Sequence, residues 1–335
     1  MIRVAILGGS GYTAVELIKI LLRHPQVTIA AVTSRQEEHI ADLHPSLLGR
    51  LDLRCFVFDA KRLADEGIQC AFSCLPHGAS LEAVPRLLDH GIRVIDLSAD
   101  YRLRDPNLYA EWYGESHTDV THLAEAVYGI PELHGDKIAK ARLVANPGCY
   151  PQTAILGLAP LVAGRHIDLQ TIIVDSKSGV SGAGRSPKSH THFPECNENF
   201  SAYSVGRHRH TPEIEQALSD LAGEPVEVIF TPHLVPMDRG IFSTIYALPR
   251  RSLTEEQLTQ LYRDYFAECP FIRVRSTLPA TKDTAHTNFL DLSVRVVRGR
   301  IIVLACEDNL VRGASGVAVQ NFNRMYGLDE RTGLW

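Results

Sequence analysis

The residues best suited to chemistry lie in one octet, Asn146-Pro147-Gly148-Cys149-Tyr150-Pro151-Gln152-Thr153. Pro147 and Gly148 force a sharp turn between a strand-like run, Arg142 to Asn146, and a helical run, Thr153 to Ala163. Pro151 suits a first helical turn, where its missing N–H costs nothing. Cys149 therefore stands at or just before a helix N-terminus, whose orphan N–H groups and dipole favour an anion. A thiol in that place tends toward thiolate, its nucleophilic form. The competing reading is a buried cysteine acting as a small hydrophobe.

A second set of chemical side chains follows. Thr171 to Lys177 reads as a strand and leads into Ser178-Gly179-Val180-Ser181-Gly182-Ala183-Gly184-Arg185. This polar, glycine-rich loop suits a lid or a backbone cradle for anions, with a flexible linker as the alternative. Beyond it come Arg185, Lys188, His190, His192, Arg207, His208, Arg209 and His210, against Glu195 and Glu198. The net charge of -5 offers no general attraction to nucleic acid or an anionic membrane, so an anionic substrate needs such a local basic cluster. A solvated face is the plainer explanation of the same charges. The two His-x-His pairs lack convergent carboxylates, so no metal is expected. In an extended segment His208 and His210 point to opposite sides.

The N-terminus carries a third candidate. Ile2 to Leu7 is a compact apolar run, read as a buried parallel strand. Gly8-Gly9-Ser10-Gly11-Tyr12-Thr13-Ala14 and the helical pattern Val15 to Arg23 follow. Strand, glycine loop and helix in this order read as a dinucleotide-binding unit, with a plain tight turn as the alternative. The second strand, Thr28 to Val32, ends at Thr33-Ser34-Arg35. No carboxylate is there to hold a ribose 2′-OH. A hydroxyl and a guanidinium suit a 2′-phosphate instead, which favours NADP; a solvated loop charge is the other reading of Arg35.

The elements that must position these residues fall into two groups. Cys70 to Cys74 and Arg93 to Leu97 read as further buried strands around a helix over 79–90. This alternation implies right-handed βαβ units, and the loops at the strand ends make Pro76, His77, Ser98 and Arg102 crevice candidates. After the cysteine the pattern changes. Residues 225–248 read as antiparallel sheet broken at Pro232, Pro236 and Gly240, and Thr254 caps a helix over 254–267. Strands at 289–297 and 301–306 flank Arg298-Gly299-Arg300, and Gly313 to Asn321 opens a final helix. The fold class is α/β: a Rossmann-type doubly wound parallel sheet plus an α+β domain with a mixed or antiparallel sheet. The expected boundaries are 1–148, completed by 313–335, and 149–312. With 335 residues, 45% hydrophobic and 22% charged, the chain has ordinary globular composition and room for two domains. Seven scattered cysteines point to a reduced, cytoplasmic setting, and Ile2 to Leu7 is too short for a signal peptide core.

Taken together, the motifs resemble those of the N-acetyl-gamma-glutamyl-phosphate reductases of arginine biosynthesis. These are relatives of aspartate-semialdehyde dehydrogenase and, more distantly, of glyceraldehyde-3-phosphate dehydrogenase. The resemblance covers nearly the whole chain. It is most specific at Ser10-Gly11-Tyr12, Leu75 to Gly78, Asp96 to Arg102, Tyr128 to Glu132, Asn146 to Pro151, Ser178 to Arg185, His208 to Glu213 and Glu307 to Leu310. Ala14 for a third glycine and Ile130 for a more usual leucine depart conservatively from the pattern. The resemblance implies an NADPH-dependent acyl-phosphate reductase working through a thioester on Cys149, with His208 as general acid/base. It implies NADP contacts from Gly8, Ser10, Gly11, Tyr12, Thr13, Ser34, Arg35, Gln36, Pro76, Ser178, Gly179 and Asn309. The substrate contacts expected are Arg102, Asn146, Ser181, Gly182, Arg185, Lys188 and Arg209. It also implies a homodimer or homotetramer. Aspartyl- or aminoadipyl-phosphate reduction on the same fold is the nearest alternative, and an NADP-binding regulator the non-enzymatic one. A regulator has no use for both Cys149 and His208.

Overall fold

The computed structural model describes residues 1–335. The chain falls into two compact units, Met1–Pro147 with Ala314–Trp335, and Gly148–Gly313.

In the first unit β1 (Ile2–Leu7), β2 (Val27–Val32), β3 (Cys70–Ser73), β4 (Arg93–Asp96), β5 (Val127–Tyr128) and β6 (Leu143–Ala145) form one sheet, in the order β2-β1-β3-β4-β6-β5. All its pairings are parallel, so each return needs a crossover. The crossovers include the helices α1 (Tyr12–Leu21) and α2 (Ser80–Asp89). Six of the ten residues of α1 are buried, the apolar stripe of a helix laid on a sheet. Gly91, at φ +75°, ends the turn after α2, the left-handed position that only glycine adopts without strain. The C-terminal helix Gly316–Met325 completes this unit, entered through a π-helical turn, Val311–Ser315.

In the second unit α3 (Cys149–Ala163) begins four residues before the expected Thr153, because Gly148 is its N-cap and Pro151 lies in its first turn. Thirteen of its fifteen residues are buried, which explains its lack of a polar face. It packs on a seven-stranded sheet of β7 (Ile173–Ser178), β8 (Ser201–Ala202), β9 (Ile229–Leu234), β10 (Ile241–Ala247), β11 (Ile272–Val274), β12 (Leu290–Val297) and β13 (Arg300–Glu307). The order is β8-β9-β7-β10-β13-β12-β11, and the sheet is mixed. The stretch 225–248 is not simply antiparallel: β9 runs parallel to β7, and β10 antiparallel to it. Pro232 is tolerated inside β9 because its outer neighbour β8 pairs only with His233 and Leu234; Pro232 contributes its carbonyl, to Tyr203 N–H at 3.1 Å. The turn between β12 and β13 is the expected hairpin, with Arg298 at φ +50° and Gly299 at φ +76°. Thr254 and Gln257 form a reciprocal capping box at the start of the helix Glu255–Tyr265. Alternate residues of the sheet are buried under α3, while Phe242, Thr244 and Tyr246 on the other face are half-buried and Ile173 is exposed. No helix is long and apolar enough to cross a membrane.

Candidate active site

Cys149 is the first residue of α3, half-exposed, while the helix behind it is buried. No side chain caps the helix start, so its first-turn N–H groups remain oriented toward the space at the thiol. Gly148 N–H is held at 2.8 Å by a carboxylate oxygen of Glu213, itself buried. Thr153 anchors the next turn, bonding Tyr150 O at 2.9 Å and Ser243 Oγ of β10 at 2.7 Å.

The two histidines converge instead of pointing apart. The segment before α4 (Thr211–Ala222) is a turn, not a strand, and His210 has helical φ/ψ of -81° and -11°. The two rings are therefore 4.8 Å apart. His210 lies against Gly148: a Cβ built there would stand 2.4 Å from His210 Nε2. Glycine at this position is what lets the imidazole reach the start of α3. His208 Nδ1 accepts the backbone N–H of His210 at 3.1 Å, so its ring proton belongs on Nε2 and the ring is neutral. Tyr150, Tyr203 and Phe230 box it in edge-to-face at 5.3 to 5.5 Å. Burial among these rings, then the neighbouring His210, lowers its pKa to about 3. The Tyr203 hydroxyl donates to the Tyr150 hydroxyl at 3.0 Å.

The loop after β7 is a rigid one. Gly179 N–H bonds Gly240 O at 2.9 Å, Val180 N–H bonds Met237 O at 2.9 Å, and Ser181 bonds Asp238 O through both its N–H and its hydroxyl. Asn309 joins the same knot, accepting Gly240 N–H at 2.7 Å and donating to Ser181 Oγ at 3.1 Å. Ser178, Gly179, Ser181 and Asn309 are thus together and buried, and only from Gly182 onward does the loop become exposed. Arg185, Lys188 and Arg209 are exposed cations.

In the first unit the glycine loop follows β1 as expected. Gly8 sits at φ +77°, and a Cβ there would strike Cys74 O at 2.7 Å. A Cβ at Gly11 would meet nothing within 4 Å, and α1 begins without a side-chain cap or an acidic first turn. Together these leave backbone N–H groups open to a pyrophosphate. Ser34, Arg35 and Gln36 follow β2; Arg35 is exposed, and the Ser34 hydroxyl bonds Gln36 O. Pro76 is exposed in the loop after β3, whose Gly78 N–H is held by buried Asp100 at 2.8 Å. Arg102 and Asn146, expected at the substrate, are buried in a polar knot. Arg102 donates to Asn146 O at 2.8 Å and to Leu97 O at 3.0 Å, and Asn146 bonds Ala314 O and Asn321.

In the sequence Glu213 and Tyr203 had no role, and Gly148 only that of a turn residue. Only Glu213 and Gly148 lay inside motifs already singled out; Tyr203 carried no signal.

The fold and the site define a semialdehyde dehydrogenase. Residues 3–141 match the family model for the semialdehyde dehydrogenase NAD binding domain, and residues 149–309 that for the semialdehyde dehydrogenase dimerisation domain. Solved structures of aspartate semialdehyde dehydrogenases share the fold: that of Vibrio cholerae (TM-score 0.73, 16% identity, 98% of each chain) and that of Candida albicans with NADP (TM-score 0.74, 13% identity, 97% of this chain and 98% of that one). Within this class the chain belongs to the N-acetyl-gamma-glutamyl-phosphate reductase family. It is 50% identical over 340 residues to the reductase of Desulforudis audaxviator and 51% identical over 341 residues to that of Citrifermentans bemidjiense, covering 100% of this chain and 98% of each relative.

Proposed function

We propose that this chain reduces N-acetyl-L-glutamyl 5-phosphate to N-acetyl-L-glutamate 5-semialdehyde and phosphate, with NADPH, in arginine biosynthesis. The observation that carries the reading is the Cys149 thiol at an uncapped helix start beside the imidazole pair, in a chain half-identical to reductases of that name. The first unit is the NADP-binding domain and the second the catalytic one. Gly8, Ser10, Gly11, Tyr12 and Thr13 suit the pyrophosphate, and Ser34, Arg35 and Gln36 the 2′-phosphate. When bound, NADPH supplies the hydride.

The chain's own residues do the rest. Cys149 gives up its proton to the imidazole pair and attacks the acyl carbon. The carbon–oxygen bond to phosphate breaks, and a Cys149 thioester remains. The first-turn N–H groups of α3 favour negative charge on the substrate oxygen. After hydride arrives, the oxyanion of the thiohemiacetal is protonated; collapse releases the aldehyde and the thiol. His210 is the member of the pair that lies against Gly148, the residue whose N–H Glu213 holds. His208, held neutral with its proton on Nε2, is better suited to donate a hydrogen bond than a proton. The exposed cations Arg185, Lys188 and Arg209 attract the anionic substrate, with its carboxylate and its phosphate.

The second unit also carries the oligomer contact. We place it on the sheet face that bears Phe242, Thr244, Tyr246 and Ile173, which α3 does not cover; the description of the matching dimerisation domain supports this. Seven cysteines, none of them in a disulfide, fit a cytoplasmic setting.

The reaction run in reverse tests the assignment. Phosphate, NADP and N-acetylglutamate semialdehyde are expected to give the highest kcat/KM. A higher value with aspartate semialdehyde or with the N-acetyl-aminoadipate homologue would overturn the substrate while leaving the thioester chemistry in place.

A further inference from the structure

Glu307 ends β13 and is fully buried. A Cβ built on Gly313 would stand 2.8 Å from Cys149 Cβ and 2.9 Å from Glu307 Oε1. The carbon that carries the thiol and the carboxyl therefore share one small space, which only a glycine leaves open. Neither side of it is loose. Glu307 is in register with Ile241 of β10 and Leu290 of β12. The next residue, Asp308, accepts the N–H groups of Leu310 and Val311 at 2.9 and 3.0 Å and pairs with Arg239 at 3.1 Å. Gln152 of α3 donates to Arg312 O at 2.6 Å, tying the turn to the helix that carries Cys149.

We propose that Glu307 is a positioning residue of the nucleophile, its buried carboxylate set beside Cys149 as a counterweight to the helix N-terminus. The inference rests on Cys149 being the nucleophile. The helix start draws the thiol toward thiolate. A carboxylate beside it resists that charge. The balance matters because a thiolate loses nucleophilicity as its pKa falls, and the best attacking thiol titrates near ambient pH. The titratable groups around Cys149 are Tyr150 on α3, Tyr203 and His208 in the segment before α4, His210 and Glu213 at the start of α4, and Glu307 itself. Around Glu307 are Cys149 across Gly313, Asp308 next in the chain, and Cys306, on which buried Asp291 of β12 also acts; Arg312, also buried, follows five residues on.

The test is the pH profile of Cys149 alkylation by iodoacetamide in the full-length protein, with peptide mapping to locate the label. Glu307→Gln is expected to move the midpoint down by about one pH unit or more, since it removes a like charge beside the thiolate. Glu307→Asp, which draws the charge back by one methylene, is expected to give a smaller shift in the same direction. A loss of packing alone would not move the midpoint in this graded way. An unmoved or raised midpoint in folded Glu307→Gln overturns the proposal. If that variant does not fold, the same result in Glu307→Asp does. Cys149→Ala is the control: normal turnover by it removes the nucleophile assignment, and this inference with it.

Discussion

Cys149 differs from its fellow cysteines in standing at the uncapped start of a long helix; Cys74, Cys196 and Cys269 are half-exposed like it but do not. Cys55, Cys70 and Cys306 are buried, and desolvation pushes their thiols up to about 11, 12 and 12. Iodoacetamide at neutral pH is therefore expected to label Cys149 first. Cys149→Ser should keep cofactor affinity and lose turnover by about three orders of magnitude or more; equal turnover would sink the thioester route. The histidines are separable in the same way. His210→Asn is expected to lower kcat by roughly 10²–10⁴-fold, the usual worth of a positioned acid or base. His208→Asn should act more through KM and the orientation of His210, whose N–H it holds. If His208→Asn is the more damaging to kcat, the roles must be exchanged.

Two elements, each a strand followed by a glycine turn and a helix, present backbone N–H groups to an anion. At the start of α3, Gly148 permits the approach of His210, so Gly148→Ala must displace the ring. A drop in kcat of about 10²-fold or more is expected, with far-ultraviolet circular dichroism unchanged. At the start of α1 the recognition is of the cofactor. Arg35→Ala should weaken NADPH binding by about 1.5–3 kcal/mol, the range of a charge-assisted hydrogen bond, and spare NADH. Titrating both cofactors against the variant decides it; equal loss for both means that Arg35 supports the loop instead.

For the molecule as a whole, burial of histidines makes stability depend on pH. Desolvation lowers the pKa of His24, His117, His166 and His208, the last to about 3. Each binds a proton more readily when unfolded, so its contribution is complete above about pH 6.5 and is lost as pH falls below that. Asp96, which burial pushes up to about 6, acts in the opposite sense between its unfolded value and 6. Burial raises the pKa of Glu215 in the same way; four histidines against these two carboxyls predict a midpoint of urea denaturation that falls from pH 7 to pH 5, and a flat profile contradicts this. The proposed assembly is a second property of the whole chain. Tyr246→Glu places a charge on the uncovered sheet face and is expected to convert the oligomer to monomers by light scattering, with the fold retained.

The local order of elements was legible in the sequence because it rests on short-range rules. Ile2 to Leu7 before glycines, Pro151 in a first turn, Gly91 after a helix and Thr254 with Gln257 each act within a few residues of themselves. The same holds for the thiol at a helix start and for the absence of a carboxylate after β2. What only the tertiary structure decided depended on partners far apart in sequence. That the Arg102 guanidinium is anchored on the carbonyls of Leu97 and Asn146 could not be read from its motif. Ser181 and Asn309 look like ligand contacts singly, yet they bond each other across 128 residues. His208 and His210 alternate in an extended chain, but the turn into α4 brings their rings together. The parallel pairing of β9 with β7 could not be read from alternation, which is the same for either direction. Glu307 stood out only as part of the motif Glu307 to Leu310, and Gly313 only as the opening of a helix; their place beside Cys149 was not legible, because 158 residues separate Glu307 from Cys149 and only the closing of β13 against α3 brings the two together.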